Sequence, residues 1–106
     1  MKLYFYKLNT DERHGKVGII VQVCEAEEKP KTYKSVDRTF PNYYSTAKKD
    51  DVGQITNFDY LFLTEPNFEY AKDKFKKRAE SRIAQTKEIL EREEKELKII
   101  EESEEN

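Results

Sequence analysis

The sequence predicts an α+β fold in which a small antiparallel sheet of three to four strands is followed by one long amphipathic C-terminal helix. Within residues 1–66, several short runs place apolar residues at every second position, which is the period of a half-buried strand. From residue 67 to about residue 102 the apolar positions recur at every third or fourth residue, and no glycine or proline interrupts them. We therefore expect a single domain over residues 1–106, with a frayed acidic end at residues 103–106.

Four segments have the composition of strands. Residues 2–8 alternate leucine and phenylalanine with tyrosine, and residues 16–25 carry valine or isoleucine at every second position, which indicates the central strand. Residues 31–36 predict a third strand after a charged turn, and residues 58–63 return to residues that favour strands. Thr64 is the expected cap of the helix that follows, because threonine accepts hydrogen bonds from the first amides of a helix.

The irregular segment of residues 37–54 is the predicted partner-binding surface. It has a proline between aromatic residues and several charged residues, without helix or strand periodicity. A connection of this length in a compact domain is usually functional or disordered, and its aromatic content argues against disorder. Binding groups are commonly carried on loops that a rigid scaffold holds. The residues expected to contact a partner are Arg38, Tyr43, Tyr44, Lys48, Lys49 and Asp51.

The long helix is divided by charge. Residues 71–90 contain seven basic and three acidic residues, whereas residues 91–106 contain three basic and eight acidic residues. A helix of this length would extend about 50 Å, so its distal half is expected to overhang the sheet. An antiparallel second copy would pair the basic half of one chain with the acidic half of the other. This predicts a homodimer with a coiled-coil seam formed by Ile83, Leu90, Leu97 and Ile100.

Two features weaken this seam, and a simpler interpretation stays open. Thr86 and Glu93 occupy seam positions, where a coiled coil would place apolar residues. The alternative is a solvated and partly frayed tail, since runs of charge usually serve solubility.

The composition excludes most enzyme classes. The chain has one cysteine, Cys24, and one histidine, His14, and it has no glycine-rich phosphate loop. Zinc and calcium sites need several ligands of kinds that are not grouped here. We interpret Cys24 as a small apolar strand residue and His14 as an exposed loop residue. We therefore predict no catalytic residue, no metal site, no cofactor and no small-molecule substrate.

Single-stranded nucleic acid remains an alternative partner. The net charge of −2 gives no field that would draw the whole protein to nucleic acid or to an anionic membrane. This alternative requires a local stacking surface, in which Tyr4, Tyr6 and Tyr33 join the tyrosines and basic residues of the irregular segment. No apolar run reaches the roughly 20 residues that span a bilayer, and the first apolar run is too short for a signal peptide. We therefore expect a cytoplasmic protein without a membrane partner.

The order of these segments resembles that of a known group of small proteins. The features that carry the resemblance are the strand-rich start, the Tyr43-Tyr44 pair, the charged turn of residues 48–53, the strand of residues 58–63, and the charged helix from Phe68. Together they look like small uncharacterised accessory proteins of phages and prophages of Gram-positive bacteria. The resemblance implies stoichiometric binding to a host or phage protein rather than catalysis, and it brings no functional residue with it. A structural, homo-oligomeric assembly subunit is the other interpretation.

Overall fold

A computed structural model of the chain describes residues 1–36, 39–41, 45–56 and 59–104. The predicted α+β class is confirmed, although the sheet has five strands rather than three or four. In chain order, the elements are β1 (Lys2–Asn9), β2 (Gly18–Glu28), β3 (Thr32–Ser35), β4 (Thr46–Lys48), β5 (Tyr60–Leu63) and α1 (Phe68–Glu102). Short 3₁₀ helices also lie at Glu12–His14 and Lys49–Asp51.

The strands form one antiparallel sheet in the order β4-β3-β2-β1-β5. The predicted central strand is indeed the middle one. β1 and β2 pair without interruption, from Lys2 opposite Glu25 to Asn9 opposite Gly18. β2 pairs with β3 through its last three residues, Ala26, Glu27 and Glu28. Residues 18–24 of β2 therefore have β1 on one side and no described strand on the other.

The strand that the sequence does not predict is β4, which lies inside the segment predicted to be irregular. Three residues, with Ala47 between Thr46 and Lys48, are too few to show a period of two. Pairing defines this strand instead, because Thr32 to Lys34 of β3 lie opposite its residues. The backbone bond from Lys49 N to Lys31 O, of 3.0 Å, continues the ladder beyond the strand.

The larger of two hydrophobic cores is aromatic and lies on one face of the sheet. The Phe5 ring lies at its centre, with the ring centroids of Phe40, Phe62 and Tyr60 at 5.0, 5.5 and 6.5 Å. These distances are typical of favourable aromatic pairs. The remaining buried members of this core are Leu3, Cys24, Ala26 and Tyr33.

The second core is formed where α1 begins and lies on the opposite face of the sheet. Ala71 and Phe75 are buried there against Tyr6 and Leu61. The Tyr6 hydroxyl accepts a hydrogen bond of 2.9 Å from the Asn67 backbone nitrogen. This packing explains why Tyr6 is buried, although the alternation of β1 places it opposite the face of Leu3 and Phe5.

The cap of α1 is Asn67, so the prediction that Thr64 caps the helix is wrong. The Asn67 side-chain oxygen accepts a hydrogen bond of 3.0 Å from the Tyr70 backbone nitrogen, which is the third amide of the helix. Asparagine is among the best capping residues, and the bond to Tyr6 holds it in place. The predicted helix of residues 67–102 is confirmed otherwise.

The chain divides into two compact units, residues 1–75 and residues 76–106. The first contains the sheet, both cores and the first two turns of α1. The second contains the rest of the helix, where Lys76 and Glu80 approach within 4.0 Å and the Thr86 hydroxyl donates to the Arg82 carbonyl at 2.8 Å. Within the described ranges, no helix has an apolar stretch long enough to cross a membrane.

Candidate functional site

The strongest candidate site is a cavity of about 350 Å³ in the first unit. Its floor consists of the aromatic rings of Phe5, Tyr60 and Phe62. Its walls come from β4 and from the segment between β4 and β5, and they are formed by Thr46, Ala47, Lys48, Asp51, Gln54, Ile55 and Thr56. The volume lies at the lower end of the range of about 300 to 1,000 Å³ that small-ligand pockets occupy.

The wall between β4 and β5 is held in place by several bonds. The Gly53 nitrogen donates to the Phe62 carbonyl at 3.0 Å, and the Thr56 nitrogen donates to the Tyr60 carbonyl at 2.8 Å. The Gly53 carbonyl accepts a bond of 2.8 Å from the Tyr70 hydroxyl. The cavity is therefore built before any ligand arrives.

Glycine is required at position 53 for two reasons. Its φ of +80° lies in the region that side chains disfavour. In addition, a Cβ atom at this position would lie 2.9 Å from the Tyr70 hydroxyl oxygen. The Gly53 conformation thus lets the wall approach the start of α1.

Two of the predicted partner-binding residues line the cavity. Lys48 is exposed at the end of β4, and Asp51 is half-buried in the second 3₁₀ helix. Lys49 does not line the cavity, because its ammonium group bonds the Glu28 carboxylate at 2.9 Å and lies 5.4 Å from the centre of the Tyr33 ring. Three further predicted residues, Arg38, Tyr43 and Tyr44, lie outside the residues that the structure describes.

The cavity also contains polar residues that the sequence does not single out. Thr46, Gln54 and Thr56 line it, and each lies in a stretch without a recognisable motif. The Thr56 hydroxyl is buried and has no hydrogen-bond partner among the described residues. Since an unpartnered buried hydroxyl costs about 1 to 3 kcal/mol, a bound group that reaches it would gain a favourable contact.

Two of the three sheet tyrosines considered for stacking on nucleic acid are buried. Tyr6 and Tyr33 are buried, with 2% and 7% of their surface exposed, so neither ring can receive a base. Tyr6 is covered by the start of α1, and Tyr33 packs at 6.4 Å from Phe62 in the aromatic core. Tyr4 is half-buried. The prediction that Tyr6 and Tyr33 join a stacking surface is therefore wrong, whereas that for Tyr4 stays a prediction.

Cys24 and His14 have the environments expected from the sequence. Cys24 is buried, its thiol donates to the Thr39 carbonyl at 3.0 Å, and burial raises its pKa. His14 is exposed, with its Nε2 atom 3.6 Å from a carboxylate oxygen of Asp11. The Arg13 guanidinium bonds the same carboxylate and lowers the pKa of Asp11. Among the described residues, no three histidine, cysteine or acidic side chains form a group that could hold a metal ion.

The apolar residues predicted to form a helix seam are exposed. The exposed fractions of Ile83, Leu90, Leu97 and Ile100 are 56%, 56%, 55% and 68%. Each side chain is therefore available for contact with another chain, and the predicted coiled coil remains a prediction.

Comparisons with protein-family models, with curated proteins and with solved structures find no match to this chain. Among the described residues, the surfaces that could receive another molecule include this cavity, a second cavity of about 330 Å³ beside Gly53 and Tyr70, one edge of β2, and the apolar residues of α1. Of these, only the first cavity combines an aromatic floor with walls held by backbone hydrogen bonds.

Proposed function

We propose that this protein is a non-catalytic interaction module that binds a protein partner stoichiometrically, with one large side chain of the partner inserted into the cavity. The observation that carries the proposal is the preformed cavity, with its aromatic floor and the two charged residues of its lining, Lys48 and Asp51, which we call the rim. In protein interfaces, a few anchor residues in well-packed pockets supply most of the binding energy. A cavity of this size suits one such anchor.

The lining of the cavity favours an anchor with a polar end. The floor is apolar, whereas the Thr56 hydroxyl is buried without a described partner. Tyrosine combines an apolar ring with a hydroxyl that can both donate and accept a hydrogen bond. Lys48 and Asp51 carry opposite charges at the rim, and charges in that position contribute to specificity and to the rate of association.

The proposed action agrees with the resemblance to small phage and prophage accessory proteins, which implies binding rather than turnover. We place the interaction in the cytoplasm. Cys24 is free and buried, which suits a reducing compartment.

Site-specific photocrosslinking tests the proposal in cells that produce the protein. Gln54 is exposed and lines the cavity, so a photoreactive phenylalanine analogue at this position would lie next to a bound partner. The matched control carries the same analogue at Glu12, which is exposed in the first 3₁₀ helix and is not part of the lining. We expect one covalent adduct from position 54, containing one copy of each protein, and none from position 12.

Charge variants in the same experiment test whether the rim residues contribute to partner binding. Lys48→Glu combined with Asp51→Lys inverts the rim charges and is expected to reduce the adduct. Glu12→Lys combined with Lys16→Glu makes the same exchange at exposed positions outside the lining and should leave the adduct unchanged. Identical adducts from positions 54 and 12, or no adduct from position 54, would contradict the proposal.

A further inference from the structure

Among the described residues, no strand pairs with the edge of β2 that faces away from β1 along residues 18–24. Over this stretch β2 pairs with β1, whereas β3 pairs only with Ala26, Glu27 and Glu28. At the Glu25 end of this stretch, the Val36 nitrogen and the Thr39 hydroxyl both donate to the Glu25 carbonyl, at 3.1 and 3.4 Å. The Thr39 carbonyl accepts bonds from the side chains of Gln22 and Cys24 and leaves their backbone groups unbonded to it. No strand of the described part of the chain lies beside residues 18–24 on that side.

The alternation of the ladder shows which backbone groups face this edge. Ala26 exchanges two backbone bonds with Met1, of 2.8 and 2.9 Å, and the register continues without interruption to Gly18. In an antiparallel ladder, every second residue is bonded to the same neighbour. Even-numbered residues of β2 are therefore bonded to β1. The odd-numbered residues Ile19, Val21 and Val23 direct their N–H and C=O groups to the open edge.

The strand at this edge lacks the sequence features that usually prevent strands from pairing. Natural sheets protect their edges with charged side chains, prolines or bulges. Residues 18–24 contain no charged residue and no proline, and their register with β1 has no bulge. Val21 and Val23 also remain 46% and 52% exposed. An apolar, unpaired strand of this kind is a template for another strand.

We infer that this edge pairs with the same edge of a second copy of the chain, antiparallel and about a twofold axis at Val21. In this register Val21 faces Val21, and Ile19 faces Val23 of the other copy. All three residues direct their backbone groups to the edge, so the pairing forms about six intermolecular hydrogen bonds. β-branched residues at these positions also form favourable cross-strand pairs.

The charges that flank the stretch favour a second copy over an unrelated strand. Lys16 precedes it, and Glu25 and Glu27 follow it. Antiparallel pairing brings the basic start of one strand beside the acidic end of the other, whereas parallel pairing would place like charges together. Because residues 18–24 are uncharged, no like charges face each other across the axis.

The length of the opening also fits the same stretch of a second chain. Val36, which follows β3, closes the edge at Glu25, and β2 itself begins at Gly18, after the bend of residues 15–17. Residues 18–24 of a second copy would fill the space between these limits. The two sheets would then form one continuous sheet across the twofold axis.

Amide hydrogen exchange measured by NMR over a series of protein concentrations tests this pairing. The even-numbered amides at residues 20, 22 and 24 are expected to exchange slowly at every concentration, because they are bonded to β1. The amides of Ile19, Val21 and Val23 are expected to slow by at least about tenfold as the mass measured by light scattering doubles. A monomer at millimolar concentration would overturn the inference, as would a dimer in which these three amides still exchange rapidly.

Two variants that each replace one valine by lysine test whether the dimer forms through the β2 edge. Val21→Lys places two lysines opposite each other and is expected to weaken association at least about tenfold. Val17→Lys introduces the same charge at a valine that is 48% exposed and precedes the strand, and it should have little effect. Slow exchange of the amides bonded to β1 shows that each variant is folded.

The helix supplies the competing explanation for a dimer. Leu90→Lys combined with Leu97→Lys disrupts the predicted seam of α1 and is expected to leave the dimer intact. A monomer from this variant, together with an unchanged dimer from Val21→Lys, would assign self-association to α1 and overturn the pairing through β2. The exchange measurement on the natural chain decides the question even if a variant fails to fold.

Discussion

Truncation of Phe75 to alanine is expected to remove a large part of the stability of the first unit. Phe75 is the aromatic residue through which α1 packs on the sheet, and 4% of its surface is exposed. It lies with Ala71 against Tyr6 and Leu61, and both of these sheet residues are also buried. The truncation would therefore leave a cavity with closed walls.

The size of the effect follows from the buried area. A buried phenylalanine removes roughly 150 to 200 Å² from water, which at about 25 cal/mol per Å² corresponds to about 4 to 5 kcal/mol. Truncations of this kind in protein cores cost about 3 to 5 kcal/mol, whereas whole domains are stable by about 5 to 15 kcal/mol. Phe68, on the same helix, is 48% exposed. Its truncation should cost about 2 kcal/mol, because it removes about half the area and leaves no closed cavity.

Urea denaturation followed by near-ultraviolet circular dichroism measures both losses. The chain has seven tyrosines and no tryptophan, and Tyr6 lies in the same core as Phe75, so the tyrosine signal reports on this packing. We expect the free energy of unfolding to fall about 2 kcal/mol further for Phe75→Ala than for Phe68→Ala. Equal losses for the two variants would refute the conclusion that the first turns of α1 are docked through Phe75.

Further predictions concern three positions whose roles the structure defines. Asn67→Ala should lower the free energy of unfolding in urea by about 1 kcal/mol because it removes the helix cap, whereas Thr64→Ala should change it by less than about 0.5 kcal/mol. Gly53→Ala should cost at least about 1 kcal/mol and more than Gly15→Ala, because both glycines have positive φ but only the first lacks room for a Cβ; a larger loss for Gly15→Ala would contradict this. Cys24 should react with iodoacetamide far more slowly in the folded chain than in urea, because it is buried and its pKa is raised. Burial raises the thiol pKa of the folded chain above the value of about 8.5 in the unfolded chain. The free energy of unfolding should therefore fall as the pH rises from about 8.5 through the folded pKa, and Cys24→Ser should lack this pH dependence.

The helix and the long strands could be predicted because each has a periodic pattern over many residues. α1 runs from Phe68 to Glu102 without a glycine or proline, so its extent follows from local sequence. β1 and β2 show a period of two over most of their length. β4 could not be predicted in this way, because three residues define no period and the strand exists through its pairing with β3.

The alternation of a strand predicts two faces but does not show which face is covered. On β1, both Phe5 and Tyr6 are buried, because the aromatic core covers one face and the start of α1 covers the other. On β2, Cys24 is buried whereas Val21 and Val23 remain about half exposed. These differences depend on contacts between distant parts of the chain, which the sequence pattern does not encode.

Only part of the candidate cavity coincides with the residues predicted to contact a partner, because the sequence pattern does not show which side chains meet in the fold. Lys48 and Asp51 belong to the irregular segment, where polar and aromatic residues without periodicity indicated a binding surface, and both line the cavity. Lys49 has the same local sequence context, but its side chain bonds Glu28 instead. Thr56 could not be identified from the sequence, because its significance depends on burial beside the cavity.

The proposed anchor can be tested most directly by measuring the affinity of the crosslinked partner, once purified, for three forms of the chain by calorimetry. Ala47→Leu places extra methyl groups at the wall of the cavity, whereas Ala79→Leu makes the same change at an exposed position of α1. We predict one partner bound per chain, a dissociation constant raised about thirtyfold or more by Ala47→Leu, and no more than a twofold change with Ala79→Leu. Equal affinities for Ala47→Leu and the natural chain, or conversion of the partner by substoichiometric protein, would contradict the proposed function.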